Sequence, residues 1–207
     1  MTQRRDFKAL VRARMAHTGE SYAAARAVVE RTKKGGDVPP PPTIPGWSVA
    51  GDCPWAYRFA IEPRDEGGRC ASITYAEPNT GFATLVQTLD SAEWVGRRVR
   101  WSALVQCDAV EGYAALWMRV DGRAREMLAF DNMFDRRIVG TRPWRRYDVV
   151  LDVSDSAVAV AFGALLSGVG LLRIAECSFE CVSLDVAVTA REQGTRPRQP
   201  RNLWFDE

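Results

Sequence analysis

From Trp47 onward the apolar residues recur at every second position, and this periodicity restricts the fold more than any other feature of the chain. WAYRFAIE places Trp55, Tyr57, Phe59 and Ile61 on one side, with Arg58 and Glu62 on the other. VRWSALVQC sets Val99, Trp101, Ala103, Val105 and Cys107 against Arg100, Ser102 and Gln106. RRYDVVLDV sets Tyr147, Val149, Leu151 and Val153 against Arg146, Asp148 and Asp152. A period of two is that of a strand with one buried face. Further strands are predicted at 69–76, 82–89, 113–121, 126–130, 157–166 and 170–184, the last interrupted by a bend or bulge. Turn signals punctuate them at Glu66-Gly67-Gly68, Pro78-Asn79-Thr80-Gly81, Asp121-Gly122 and Ser167-Gly168. Short strands with one-sided alternation and no intervening helices predict a mainly β chain built on an antiparallel β-sandwich.

Before Trp47 the period is helical. Phe7, Leu10, Val11 and Met15 share one face of a predicted helix over 4–17, with Arg4, Lys8 and Arg12 stacked on another. Gly19 can end that helix and Ser21 can cap the next, over 22–34, whose stripe is Tyr22, Ala25, Val28 and Val29. Two helices this short bury too little to fold alone, so the stripe must dock against something. The expected organisation is a basic helical hairpin at 1–34, a Gly/Pro-rich linker at 35–46 (GGDVPPPPTIPG), a β-sandwich at 47–189 and a disordered tail at 190–207.

Charge is divided unevenly along the chain. Residues 1–36 carry nine basic and three acidic side chains, a net +6, whereas the remainder carries 19 basic and 23 acidic. The arm rather than the body is therefore expected to meet any polyanion, with weak nucleic-acid contacts from Arg4, Lys8, Arg12 and Arg26. No apolar run is long enough to span a membrane and no secretory h-region opens the sequence. With five irregularly spaced cysteines, this points to a reducing, cytoplasmic compartment with free thiols. Cys177 and Cys181 share a face if their segment is a strand, but lie roughly 13 Å apart at ~3.3 Å per residue. That is too far for one zinc ion, so both are expected to be buried structural thiols.

Catalytic signatures are lacking. The chain has a single histidine, His17, placed in the hairpin, so Ser-His-Asp, Cys-His and HExxH sites have no support, and no P-loop or GxGxxG occurs. The compact oxygen-rich cluster Asp131, Asn132 and Asp135 suits a self-satisfied turn better than a calcium loop, so no metal is assigned. YAALWMRVDG is more informative. Ala114, Leu116, Met118 and Val120 suit the interior, while Trp117 and Arg119 share the opposite face. An unpaired guanidinium does not belong in a dry core, so that face is expected to be open. There an indole can stack a sugar or aromatic ring beside a hydrogen-bonding cation, with Arg58, Arg100, Ser102 and Gln106 extending the polar surface. The competing arrangement pairs Arg119 with a carboxylate and covers Trp117 with a loop.

The order of segments carries a resemblance. YAALWMRVDG and LAFDNM within 113–133 are followed by GTRPWRRYDVVLDV, AVAVAFGALLSGVG and a closing CSFECV. This run resembles galactose-binding-like jelly rolls, the fold of many carbohydrate-binding modules, and especially a variant appended to bacterial transcriptional regulators. It covers roughly residues 47–185. The resemblance implies a non-catalytic module that binds or senses a small molecule or sugar without a cofactor. The alternative is a scaffold whose hairpin mediates oligomerisation or docks a partner.

Overall fold

The computed structural model describes residues 44–190 apart from Thr80, together with Lys8, Val11, Arg12, Tyr22, Ala23, Ala25 and Arg26 from the first 43. Nine strands are formed: β1 (Ser48–Gly51), β2 (Tyr57–Pro63), β3 (Arg69–Tyr75), β4 (Phe82–Asp90), β5 (Arg98–Gly122), β6 (Met127–Asp131), β7 (Ile138–Asp152), β8 (Ala157–Ser167) and β9 (Leu171–Val182). All pair antiparallel, in the order β1-β4-β8-β5-β9-β3-β2, with β6 and β7 also paired to β5.

The two strands expected at 99–107 and 113–121 are one strand, β5, of 25 residues. Fully extended it would span roughly 80 Å at ~3.3 Å per residue, far more than one layer of a small domain accommodates. It therefore bends. Register shifts fall between Val105 and Ala114, and Ala109 takes a positive φ of 47°. The part before the bend pairs with β7 and β9, and the part after it with β8 and β6. The result is one curled sheet whose halves, β7-β5-β9-β3-β2 and β6-β5-β8-β4-β1, face each other. The mainly β, antiparallel character is as expected, but the two sheets of the expected sandwich are replaced by one curled sheet, a half-barrel whose halves share β5.

Close backbone approach fixes the bend. Glu111 N donates to Val169 O at 3.1 Å, and a Cβ on Gly112 would run into the Ser167 carbonyl, so the β8–β9 turn sits against β5 where only glycine fits. Between the halves lies an aromatic core. Trp101 (β5) is 1% exposed and donates its Nε1 to Gly163 O (β8) at 3.0 Å. Phe162 (β8) lies 4.9 Å from Trp101 and stacks on Phe179 (β9) at 4.6 Å, with Trp47 and Trp94 at the rim. Ala114, Leu116, Met118 and Val120 are fully buried, as their alternation predicts.

Other expectations are corrected or fall outside the described residues. Trp55 lies in a 3₁₀ turn, Pro54–Ala56, rather than in β2, and Ile61 is 38% exposed. Cys177 and Cys181 are exposed, not buried. They follow the bulge at Glu176 (φ 47°) and flank Phe179, which is the residue of this segment that reaches Phe162 in the core. All five thiols are free, as expected. Most of the 1–34 hairpin, the linker up to residue 43 and residues 191–207 lie outside the described residues. No α-helix is delimited among the described ones, so the hairpin is not established; Val11 and Ala25 are buried, while Lys8, Arg12, Tyr22 and Arg26 are exposed.

Gly163 offers a direct test of the packing. An added Cβ would collide with the Leu85 carbonyl of β4 and come within 3.1 Å of Trp117 Nε1. Overpacking of this kind costs about 1–3 kcal/mol, and a backbone collision sits at the upper end. Gly163→Ala is expected to lower the calorimetric Tm by several degrees, whereas Gly67→Ala, which meets nothing within 4 Å but has a φ of +92°, should show only its local backbone strain.

Candidate functional site

The halves present two outer faces of different character, and the bend in β5 divides the expected site between them. Arg100 and Gln106 precede the bend and face outward on the first half, as does Arg58 on β2. Trp117 and Arg119 follow it and face outward on the second half. Five residues expected to share a surface therefore lie on opposite sides of the core.

On the first half many of the polar groups pair with one another, while Arg64 Nε is buried without a hydrogen-bond partner. Arg98 forms a two-pronged pair with Asp152 (2.7 and 2.9 Å), Arg100 reaches Glu180 at 2.7 Å, and Arg146 and Arg64 both hold Glu176. Arg173 bridges Glu62 (3.0 Å) and Gln106 (3.3 Å), while Ser72 donates to Glu62 at 2.7 Å. Arg64 also lies over the Trp144 ring at 4.8 Å. Gln106 and Arg100 are thus engaged within the protein, and Arg58 stands exposed on β2 away from Trp117.

The second half is sparser in charge and richer in rings. Trp117 is half-buried over small neighbours, and its Nε1 donates to Thr84 Oγ1 at 2.7 Å, which leaves the indole face rather than its N–H for any contact. Arg119 pairs with Asp121, two residues on along the same face, at 2.8 Å, yet its side chain remains 45% exposed. The carboxylate partner foreseen in the competing arrangement is therefore present. Across the ladder, opposite Arg119, Phe130 of β6 is 38% exposed. Two strand periods back from Trp117, Tyr113 meets Phe134 edge-on at 6.4 Å, and the Arg137 guanidinium lies 3.5 Å from the Phe134 centroid and 5.1 Å from that of Tyr113. Phe134 is 60% exposed.

Tyr113, Phe130, Phe134 and Arg137 were not foreseen. Tyr113 was visible as the same-face neighbour of Trp117 at twice the strand period, but Phe134 and Arg137 arrive from the β6–β7 loop, and only the fold shows that contact. The Asp131 cluster is held by turn bonds and cations. Asp131 accepts from Met133 N (2.8 Å) and from Arg136 (2.6 Å), Asn132 accepts from Phe134 N (3.2 Å), and Asp135 pairs with Arg136. Arg136 thus occupies the place a cation would take, and the loop's bonds set the position of Phe134. Among the described residues no group of three or more His, Cys, Asp or Glu converges for a metal ion, and no helix is long and apolar enough to cross a membrane.

No protein-family model matches the chain. An uncharacterized HTH-type transcriptional regulator, YbfP of Bacillus subtilis (strain 168), is 34% identical over 167 residues, which is 78% of this chain and 57% of that protein. Among solved structures, a CBM4 module is 14% identical with a TM-score of 0.48, covering 66% of this chain and 86% of its own. The xylan-binding domain of CBM22 is 11% identical with a TM-score of 0.48, covering 67% and 88%. The enzymatically active domain of bacteriophage CBA120 tailspike protein 4 is 14% identical with a TM-score of 0.49, over 68% of this chain and only 20% of its own. The chain spans little more than half of the curated relative and a fifth of the tailspike domain.

The first-half face makes a pH prediction. Ser72, opposed in part by desolvation, and then Arg173 hold Glu62 below its ordinary value of 4.5, and Arg98 holds Asp152 below 3.8. A carboxylate depressed in the folded state contributes stability above its unfolded pKa and loses it as pH falls through the folded one. Tm is therefore expected to be flat with respect to these groups from neutral pH to about 4.5 and to drop on further acidification. Glu62→Gln should lower Tm at pH 7 and make the acid drop shallower; an unchanged acid limb would remove Glu62 from the account.

Proposed function

We propose that residues 47–189 form a non-catalytic binding module for a small ligand, a sugar being the class that its open face suits, and that the module serves a transcriptional regulator. The observation that carries the ligand reading is the row of rings on the second half's outer face. Trp117 and Tyr113 of β5, Phe130 of β6 and Phe134 of the following loop stand beside Arg119 and Arg137. Half-exposed rings next to cations supply what a pyranose needs, an apolar surface for its C–H face and donors for its oxygens. Tyr113 and Trp117 are four residues apart, roughly 13 Å at ~3.3 Å per residue, a spacing that suits a short oligosaccharide better than one ring. The regulator context is supported by the 34% identity with a protein named as an HTH-type regulator. A non-catalytic role accords with a sequence whose single histidine is His17.

A thermal-shift screen of neutral and acidic sugars, small carboxylic acids and nucleotides tests the ligand. Stabilisation by at least one sugar is expected, with Trp117→Ala and the more exposed Phe134→Ala each weakening it about tenfold, on the scale of one aromatic contact. If no class stabilises the protein, the reading fails.

The cationic arm extends the proposal to nucleic acid. Lys8, Arg12 and Arg26 are exposed, and residues 1–36 carry the net +6. Low-salt gel retardation of duplex DNA is expected, with affinity falling by about 0.9 log units per phosphate contact for each tenfold rise in salt. Charge reversal of Arg4, Lys8, Arg12 and Arg26 should abolish it; retardation unchanged by that variant would take the arm out of the function.

A further inference from the structure

We propose that the Tyr113–Phe134–Arg137 cluster makes this site selective for acidic sugars, with Arg137 as the reader of a uronic carboxylate. The inference rests on the sugar-binding reading above and deepens it.

The charges on the second-half face separate by what answers them. Arg119 is answered by Asp121 at 2.8 Å, and Arg136 by Asp131 at 2.6 Å and Asp135 at 3.2 Å. Among the described residues Arg137 has no carboxylate partner. Its Nε donates to Phe134 O at 2.9 Å, and its guanidinium plane rests against two rings. That bond and those rings fix the orientation of the side chain while leaving both terminal nitrogens for a ligand. A guanidinium held in place but without a counter-anion forms the forked geometry that a carboxylate matches, and its ordering cost is met before the ligand arrives.

The rings beside it decide what bears the carboxylate. Phe134, 60% exposed, and Tyr113 offer apolar surface within a side-chain length of the guanidinium. A bare inorganic anion would use the charge and leave this surface wet, and a neutral sugar would use the surface and leave the charge unanswered. A sugar acid uses both. Trp117, further along the same face of β5, extends the surface for a second or third residue of an oligomer.

The experiment is calorimetric titration of the full chain with galacturonic acid, trigalacturonate and the neutral trimers xylotriose and cellotriose, each repeated with Arg137→Gln and Arg137→Lys. Arg137 is exposed, so both variants should keep the wild-type Tm. The expected result is trigalacturonate binding at least about tenfold tighter than either neutral trimer, a preference lost in Arg137→Gln and partly kept in Arg137→Lys, with neutral binding weakened much less than acidic binding. A monomer that binds as tightly as the trimer would confine recognition to the Arg137 end and still support the assignment. Equal affinity for acidic and neutral trimers would overturn the acidic selectivity and leave the sugar-binding reading standing. Selectivity that survives Arg137→Gln would overturn the role of Arg137, and binding of no sugar at all would overturn both readings together.

Discussion

Everything in this fold follows from one strand that must serve both halves of a curled sheet. β5 is too long to lie in a single layer, so it turns between Val105 and Ala114, and the positive φ of Ala109 with the close approach at Gly112 makes the turn possible. The turn does two things at once. It brings Trp101 on one side of the bend under Phe162 and Gly163 of the opposite half, which closes the core. It also shifts the alternation, so that even-numbered positions face outward before the bend and odd-numbered ones after it, with Cys107, Val110 and Ala114 keeping the interior continuous.

The two outer faces therefore have separate fates, and magnitudes decide which one is free to bind. A single exposed ion pair contributes about 0–1 kcal/mol, so the pairs on the first half add modestly to stability. Their larger effect is on availability. Arg100 and Arg173 already direct donors to Glu180, Glu62 and Gln106, so a ligand hydroxyl competing for those donors gains little. On the second half the groups offered are ring faces, whose contacts require no bond to be broken, and one oriented guanidinium without a carboxylate. Binding is favoured where the protein has not already answered its own groups.

Much of the architecture was legible because strand periodicity is local. Eight of the nine strands were marked by alternation and bounded by Gly, Pro and Asp turns, and the bulge expected in the last strand is found at Glu176. The fusion of two of those segments into β5 was not legible, since Asp108, Glu111 and Gly112 read like a turn and only the β8–β9 crossing makes them a bend. β1 has four residues and no alternation long enough to detect. The pairing of Arg119 with Asp121 was within reach of the period-two rule, because positions two apart share a face. The contact of Arg137 with Tyr113 was not, as it depends on how a loop folds back across a ladder. Cys177 and Cys181 show the opposite failure: their alternation is genuine, but it is Phe179 between them that fills the space against Phe162, and the thiols on either side stay exposed.

Gly163 ties the core to the proposed site. From inside, its carbonyl accepts the Trp101 N–H at 3.0 Å; from outside, the Trp117 indole lies so near that a Cβ would come within 3.1 Å of its Nε1. Two indoles thus meet one residue, Trp101 at its carbonyl and Trp117 where a side chain would stand, and the absence of that side chain leaves room for Trp117 and the Leu85 backbone. Trp117 is seated on the sheet rather than carried on a loop, with Thr84 fixing its N–H and β8 fixing its depth. A ring held this way loses little freedom when a ligand stacks on it, so more of the contact energy remains as affinity. The bend in β5 therefore shapes recognition as well as packing, because the strand that delivers Trp101 to the core delivers Trp117, sixteen residues later, to the surface above it.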